Sequence, residues 1–235
     1  MKNIIKLAFR NFFRNTRRSI ISCVGVAIAI AVVIFAHSYI KGMTESIVDN
    51  VIRLVSGHVR ITTREYERRE RMLPLSEAMD ITPEFIASLD NPDILALTTR
   101  IKFGVMLGEG EAAVPALGYA VEPEKETAIL GFEKRIIWGS YLKATDKAVI
   151  LGKELARRLG LDVGDTLTII TRTAYDSPAG MNLLVKGIYA TGLGGIDRSI
   201  FYMPLKSAQE LLDLEGKATE VVIVARDRSK APLIA

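Results

Sequence analysis

The sequence predicts an α+β protein in which one N-terminal membrane helix continues into a stalk that carries an extracytoplasmic domain of mixed α/β structure. Three observations predict it. Residues 1–18 hold six bases and no acid, and the stretch 19–40 that follows contains no acidic or basic group other than His37. An apolar spacing of four, at Met43, Ile47, Val51 and Val55, then runs on past that stretch. Beyond residue 57, segments that alternate apolar and polar side chains outnumber helical ones and do not interleave with them regularly enough for a doubly wound sheet.

The first segment, 1–18, is expected to be a cytoplasmic basic amphipathic helix. Lys2, Lys6, Arg10, Arg14 and Arg18 recur every fourth position and form one stripe, while Ile5, Phe9, Phe12 and Phe13 fall on other faces. Such a helix lies along headgroups, held to membrane lipids by its apolar side chains and by anionic charge. A solvated positive flank that only sets topology is the alternative. Residues 19–40 would run about 33 Å as a helix, close to the ~30 Å hydrocarbon thickness of a bilayer. Charge before them, and the balanced Lys41, Glu45, Asp49 and Arg53 after them, place the N-terminus in the cytoplasm.

Other readings of that span fit less well. A cleaved signal peptide has an apolar core of about 7–15 residues, whereas here the small-residue site Ala29-Ile30-Ala31 sits inside a longer run. Ile20-Ile21-Ser22-Cys23 resembles a lipoprotein-processing box, but Cys23 stands near the start of the apolar run instead of its end. A buried core helix leaves the lopsided charge unexplained. Gly25 and Ala29, like Ala27 and Ala31, are four apart, a spacing that lets two membrane helices approach closely.

No Gly or Pro occurs from Thr44 to Ser56, so the helix should continue as a stalk over 41–56, with Gly42 its weak point and Gly57 its end. The domain over 57–235 then opens with a strand at 58–62. The charged stretch 63–80 has no clear period and reads as loop or a short exposed helix. Thr82 caps a helix with Pro83 in its first turn. Alternation at 101–107 and 114–121, around Gly108-Glu109-Gly110, predicts a hairpin. A short buried strand at 148–151 leads through Gly152 into a helix over 153–159, closed by Gly160. Strands at 166–171 and 183–189 are expected to flank a polar loop holding Asp176, Ser177, Pro178 and Gly180. A strand at 199–203, a helix opened by Pro204 and running to about Leu214, and a strand at 220–225 complete the pattern.

Composition excludes several functions. The net charge of +4 belongs to the N-terminus: beyond Arg18, 25 bases stand against 27 acids. No surplus remains for a phosphate-binding face, so nucleic acid is not an expected partner. One cysteine excludes a disulfide framework and a zinc cage built on several thiolates. His37 lies inside the apolar span and His58 at the start of a strand, so the two make no metal-binding pair. The pairs Gly152-Lys153 and Gly216-Lys217 lack the upstream glycine and following hydroxyl of a phosphate loop. Gly192-Leu193-Gly194-Gly195 resembles a dinucleotide turn, but Asp197 occupies the place of the third glycine, which leaves a flexible turn before Arg198. No GxSxG elbow is present, and Glu109 and Glu111 read as solvent-exposed turn residues. No catalytic, cofactor-binding or metal-binding residue is assigned, and no cofactor is expected.

The order of features resembles a known family. Leu7-Ala8-Phe9-Arg10-Asn11-Phe12-Phe13-Arg14-Asn15-Thr16-Arg17-Arg18 before the span is similar to the N-terminal signature of ABC-transporter permeases of the MacB/FtsX type, including lipoprotein-releasing permeases. The resemblance continues at 56–61, at Val149 to Ala156, at Gly160 to Thr166, at Lys186 to Tyr189 and at Asp197 to Leu205. It implies a first membrane helix and a periplasmic core domain in the inner membrane. It also implies a dimeric permease, homodimeric or with a paralogue, powered by a partner ABC ATPase. The ATPase of such permeases is separate or fused; with no nucleotide-binding motif here, this chain is not expected to be an enzyme, and ATP hydrolysis is expected in a separate partner subunit. Such permeases transmit ATP-driven motion to the periplasm, where they release lipoproteins, drive export with periplasmic partners or regulate cell-wall enzymes. The family has three more membrane helices after this domain, so the chain reads as the amino-terminal part of a permease. Two rival readings are a signal-anchored extracytoplasmic binding or sensory module and a tethered hydrolase; no nucleophile–base pair supports the latter.

Overall fold

In the computed structural model, which describes residues 16–51, 57, 59–89, 91–108 and 113–226, Thr16–Val51 form one α-helix of 36 residues, α1. The helix passes through Gly42 without a break, as the absence of proline allows. Its part from Thr16 to Met43 is long and apolar enough to cross a membrane, and none of its apolar side chains is buried. The basic segment 1–15, the last stalk residues 52–56, His58, and the turn acids Glu109 and Glu111 lie outside the described residues. The chain divides into two compact units after Val51, the second formed by the remainder.

That unit begins with β1 (Val59–Ile61), α2 (Arg64–Arg68) and two 3-10 turns, Glu70–Met72 and Leu75–Glu77. After β2 (Met79–Asp80) and α3 (Pro83–Ser88) comes the long β3 (Ile94–Leu107), then β4 (Val114–Val121). Next are α4 (Pro123–Leu130), a 3-10 turn at Phe132–Arg135, and β5 (Ile136–Gly139). β6 (Ala148–Gly152), α5 (Lys153–Leu159), β7 (Thr166–Arg172) and β8 (Pro178–Tyr189) follow. The described chain closes with α6 (Gly194–Ser199), β9 (Ile200–Pro204), α7 (Leu205–Leu212), β10 (Lys217–Ala218) and β11 (Glu220–Ala225).

Among the described residues, nine strands form one sheet in the order β1-β11-β3-β4-β9-β6-β8-β5, with β7 bridging β3 and β8; β2 and β10 pair separately. Parallel pairs (β4 with β9, β6 with β8) mix with antiparallel ones, which fits the α+β class. The expected hairpin is present, with Arg100 opposite Val121 and Leu107 opposite Val114. Its alternation works as predicted: Ile101, Phe103, Val105 and Leu107 share one face and are all buried, in a cluster with Leu155 of α5 and Leu211 and Leu212 of α7. The opposite face carries Tyr119, Ile150, Tyr189 and Tyr202, packed with Phe132; ring centroids of Phe132 and Tyr202 lie 4.6 Å apart. Thr82 caps α3 as expected, its hydroxyl accepting from the Phe85 amide at 3.1 Å.

Several expectations need correction. Gly194 and Gly195 open a short helix instead of a flexible turn, because Asp197 ties the preceding loop down: its carboxylate accepts from the Thr191 amide at 2.9 Å and hydroxyl at 2.6 Å. The stretch 63–80 is not simply exposed, since Tyr66 of α2 is fully buried. The polar loop is shorter than expected, with Pro178 already in β8, and the Ala174 amide donates to the Leu212 carbonyl at 2.9 Å. α7 stops at Leu212 because Asp213 takes a left-handed conformation, φ 56°. β9 starts one residue later than expected, and α4, β2, β5 and β10 were not anticipated.

Candidate functional site

β1 is the first strand after α1 along the chain, and its register on β11 sets the most unusual chemistry of the domain. Arg60 lies opposite Val222, and one strand further in, Glu220 lies opposite Arg100. Because side chains alternate along each strand, Arg60, Glu220, Arg100 and Lys102 share one face of three adjacent strands. Glu220 is fully buried. Its Oε2 sits 2.8 Å from Lys102 Nζ and 3.6 Å from Arg60 Nη1. Its Oε1 meets no hydrogen-bond donor among the described residues.

Two further acids balance the three cations. Glu70, in the first 3-10 turn, takes a two-point contact from Arg60, with Nη2 donating to Oε2 at 2.9 Å and Nη1 donating to Oε1. That bond holds the Glu70 carboxyl below the usual carboxylate range. Glu126, carried in by α4, accepts from Arg100 Nε at 2.6 Å and Nη2 at 2.9 Å. Both side chains of this pair are almost wholly inaccessible, at 0% and 3% exposure. Thr98 also donates to Glu126, at 3.3 Å. Burying single charges is expensive, and two-point guanidinium–carboxylate contacts are the geometry that offsets it. Tyrosines close the cluster: Lys102 Nζ stands 5.2 Å from the Tyr119 ring centre. Burial, with the Glu220 charge adding to it, pushes the hydroxyls of Tyr66 and Tyr119 up to about 12.

This arrangement fastens strands; it presents no open face to a substrate. Of its residues only Arg60 lies in a segment, 56–61, that carries the family resemblance, and none is assigned a role from the sequence. The available signal was Arg100 and Lys102 alternating with Ile101 and Phe103, which reads as an outward face until α4 is known to cover it.

The quoted motif segments also meet in space. Gly152, between β6 and α5, lies so close to the start of the segment Asp197 to Leu205 that a Cβ on it would meet the Asp197 carbonyl oxygen, and would fall 2.7 Å from its carbonyl carbon. Asp165, in the segment Gly160 to Thr166, accepts from the Asp162 amide at 2.7 Å and so shapes the turn into β7. In α1, Gly25 has open space around it, and Cys23 is exposed and free. Among the described residues, no three His, Cys, Asp or Glu side chains gather as a metal site would require. One open groove of about 810 Å³ lies between the segment 72–76 and the ends of β3 and β7, with Met72, Met106, Ile170 and Arg172 on its walls.

Comparison with known proteins adds the following. The family model described as MacB-like periplasmic core domain matches residues 19–235. The lipoprotein-releasing system transmembrane protein LolC of Xylella fastidiosa strain Temecula1 is 24% identical over 205 residues, 84% of this chain and 47% of the relative. LolC of Neisseria meningitidis serogroup B is 21% identical over 227 residues, 92% of this chain and 51% of the relative. The chain therefore spans about half the length of the curated relatives it matches. Among solved structures, the extracellular domain of the noncanonic ABC-type transporter YknZ from Gram-positive bacteria aligns with a TM-score of 0.49 at 12% identity, covering 67% of this chain and 78% of that one. The periplasmic region of MacB from Actinobacillus actinomycetemcomitans aligns with a TM-score of 0.48 at 13% identity, covering 72% and 73%.

Proposed function

The chain belongs to the family of the MacB-like periplasmic core domain, and from that premise we propose that it is the amino-terminal part of the permease component of an ABC transporter in the inner membrane. In this reading residues 1–18 lie on the cytoplasmic surface, 19–40 cross the bilayer, 41–56 form a stalk and 57–235 form a periplasmic domain. A partner ATPase hydrolyses ATP, a second permease copy or a paralogue completes the dimer, and this chain carries the resulting motion outward without chemistry of its own. The names of its LolC relatives support release of lipid-modified proteins as the task.

The observation that carries the reading is α1. At 1.5 Å per residue its 36 residues span about 54 Å, roughly 24 Å more than the hydrocarbon layer needs. A helix that merely anchored a domain would need no such surplus, whereas a lever does.

The test is Val48→Pro in the full-length permease with its ATPase in liposomes. Proline removes a backbone donor in α1 and clashes with the carbonyl at position 44, costing ~3 kcal/mol or more. Insertion should be unchanged, and the ATP-driven displacement of a spin label at exposed Glu133, read against the second copy in a Cys23→Ser background, should be lost. Normal displacement in a stably inserted Val48→Pro protein would reduce α1 to a tether and favour the signal-anchored binding module.

A further inference from the structure

We propose that Arg60 and Gly57 are positioning residues that lock β1 onto β11, and that this lock is where displacement of the membrane helix enters the domain. The second half of the proposal rests on the permease reading; the first half does not.

β1 is a poor anchor by its backbone alone. It is three residues long, pairs on one side only among the described residues, and its apolar side chains Val59 and Ile61 are only half-buried. A strand this short, with so little apolar pattern, specifies its register weakly, and a slip of one residue would turn Arg60 to the other face. Two features remove that freedom. The Arg60 guanidinium grips Glu70 at two points and reaches Glu220, which is itself held by Lys102. A planar fork facing a carboxylate tolerates one orientation, so the contact reads register as well as adding attraction. Ahead of the strand, Gly57 has φ +65°, and a Cβ there would collide with Val222 Cγ1 and lie 3.2 Å from the Ile223 carbonyl oxygen. The chain therefore arrives in direct contact with β11, whose Val222 is fully buried and whose far edge is paired to β3.

The consequence is mechanical. If residues 57–61 came away from β11, they would add up to roughly 16 Å of slack at ~3.3 Å per residue. Movement arriving from the helix would be taken up there before it reached the sheet. Locked, β1 passes the movement straight to β11 and, through Glu220, to β3.

Hydrogen–deuterium exchange on the full chain in nanodiscs tests the lock. Arg60→Met should speed exchange of the β1 amides at least tenfold while β4 and β9 stay protected, and Arg60→Lys, which keeps the charge but loses the fork, should fall between. Gly57→Ala should act in the same direction. Unchanged β1 exchange in both Arg60→Met and Gly57→Ala overturns the lock. The spin-label displacement at Glu133 tests the entry point: Arg60→Met should keep ATP hydrolysis within twofold and reduce displacement several-fold. Faster exchange with full displacement overturns the entry role. No ATP-driven displacement in the wild type overturns the permease reading itself and the entry role with it, while exchange still decides the lock.

Discussion

The buried Arg100–Glu126 pair gives a prediction whose size and asymmetry both follow from geometry. Each side chain is at most 3% exposed, and they are joined by bonds of 2.6 and 2.9 Å. Glu126→Leu leaves a guanidinium in the interior that cannot shed its proton, so the full penalty for breaking a buried pair applies, about 3–5 kcal/mol. For a unit of this size that corresponds to a fall in Tm of roughly 6–20 °C. Arg100→Met leaves a carboxylate, which can escape by binding a proton. A carboxylate that has taken up a proton no longer carries a buried charge, so the destabilisation should be smaller at pH 5 than at pH 7. The cost of Glu126→Leu should not shrink this way. The double variant removes both charges and should lie within about 1 kcal/mol of the wild type. Denaturation of the full chain in detergent, followed by the near-ultraviolet ellipticity of the tyrosine cluster at pH 7 and pH 5, reads all three. Single variants costing less than about 1 kcal/mol, or a double variant as unstable as the two singles summed, would refute the reasoning.

Two other outcomes are expected. Gly152→Ala should cost about 1–3 kcal/mol by overpacking, since a Cβ there meets the Asp197 backbone, while Gly104→Ala, with open space around it, should be nearly neutral by the same measurement. Stability should also fall at both ends of the pH scale. Arg60 holds Glu70 below its ordinary value; partial burial raises Asp146, but the Lys186 ammonium and the Lys143 amide more than offset it. Their contribution is complete above the ordinary carboxylate range and is lost as pH drops through their lowered values. Tyr66 and Tyr119 are raised to about 12, so their contribution is complete below about 10 and disappears between 10 and 12. A denaturant midpoint that stays flat from pH 3 to 12 would contradict both.

What the sequence made legible followed local physics. α1 stood out because its apolar run, 19–40, carries no acidic or basic group other than His37, and β6 and β7 because their apolar pattern is complete within one strand. α4 was hidden for the opposite reason: among its described side chains Glu126 is turned inward beside Pro123, and a carboxylate is not a residue that marks a buried face in a sequence. β8 was shortened because Pro178 and Gly180 are turn residues by habit. Pro178 is tolerated where it is because that end of β8 pairs only with β7, leaving its missing donor on the free side. The ion cluster was illegible in principle. Arg100 and Glu126 are 26 residues apart, and Arg60 meets Glu220 only because β11 inserts between β1 and β3. No spacing rule contains that juxtaposition; only the strand order does.

Strand order in turn explains why charge is buried there at all. Buried pairs seldom stabilise a fold more than apolar groups of the same shape would, so stability alone does not account for the burial of Arg100, Lys102, Glu126 and Glu220 at one end of the sheet. Val-Arg-Ile in β1 and Glu-Val-Val-Ile-Val-Ala in β11 are short and nearly uniform in their apolar positions, and sliding by two residues would keep the same face inward. Only one alignment puts Arg60 beside Glu70 and Glu220 while setting Glu220 opposite Arg100. The charges therefore discriminate between registers that packing treats as near equals. For the Arg100→Met, Glu126→Leu double variant, this reasoning separates two quantities usually measured as one. Global stability should be kept, whereas the β3 and β11 amides should lose uniformity and show more than one resonance each in nuclear magnetic resonance spectra. A single sharp set of β3 and β11 resonances in that variant would mean that the Arg100–Glu126 pair does not fix the register, leaving it to packing and to the contacts of Glu220 with Lys102 and Arg60.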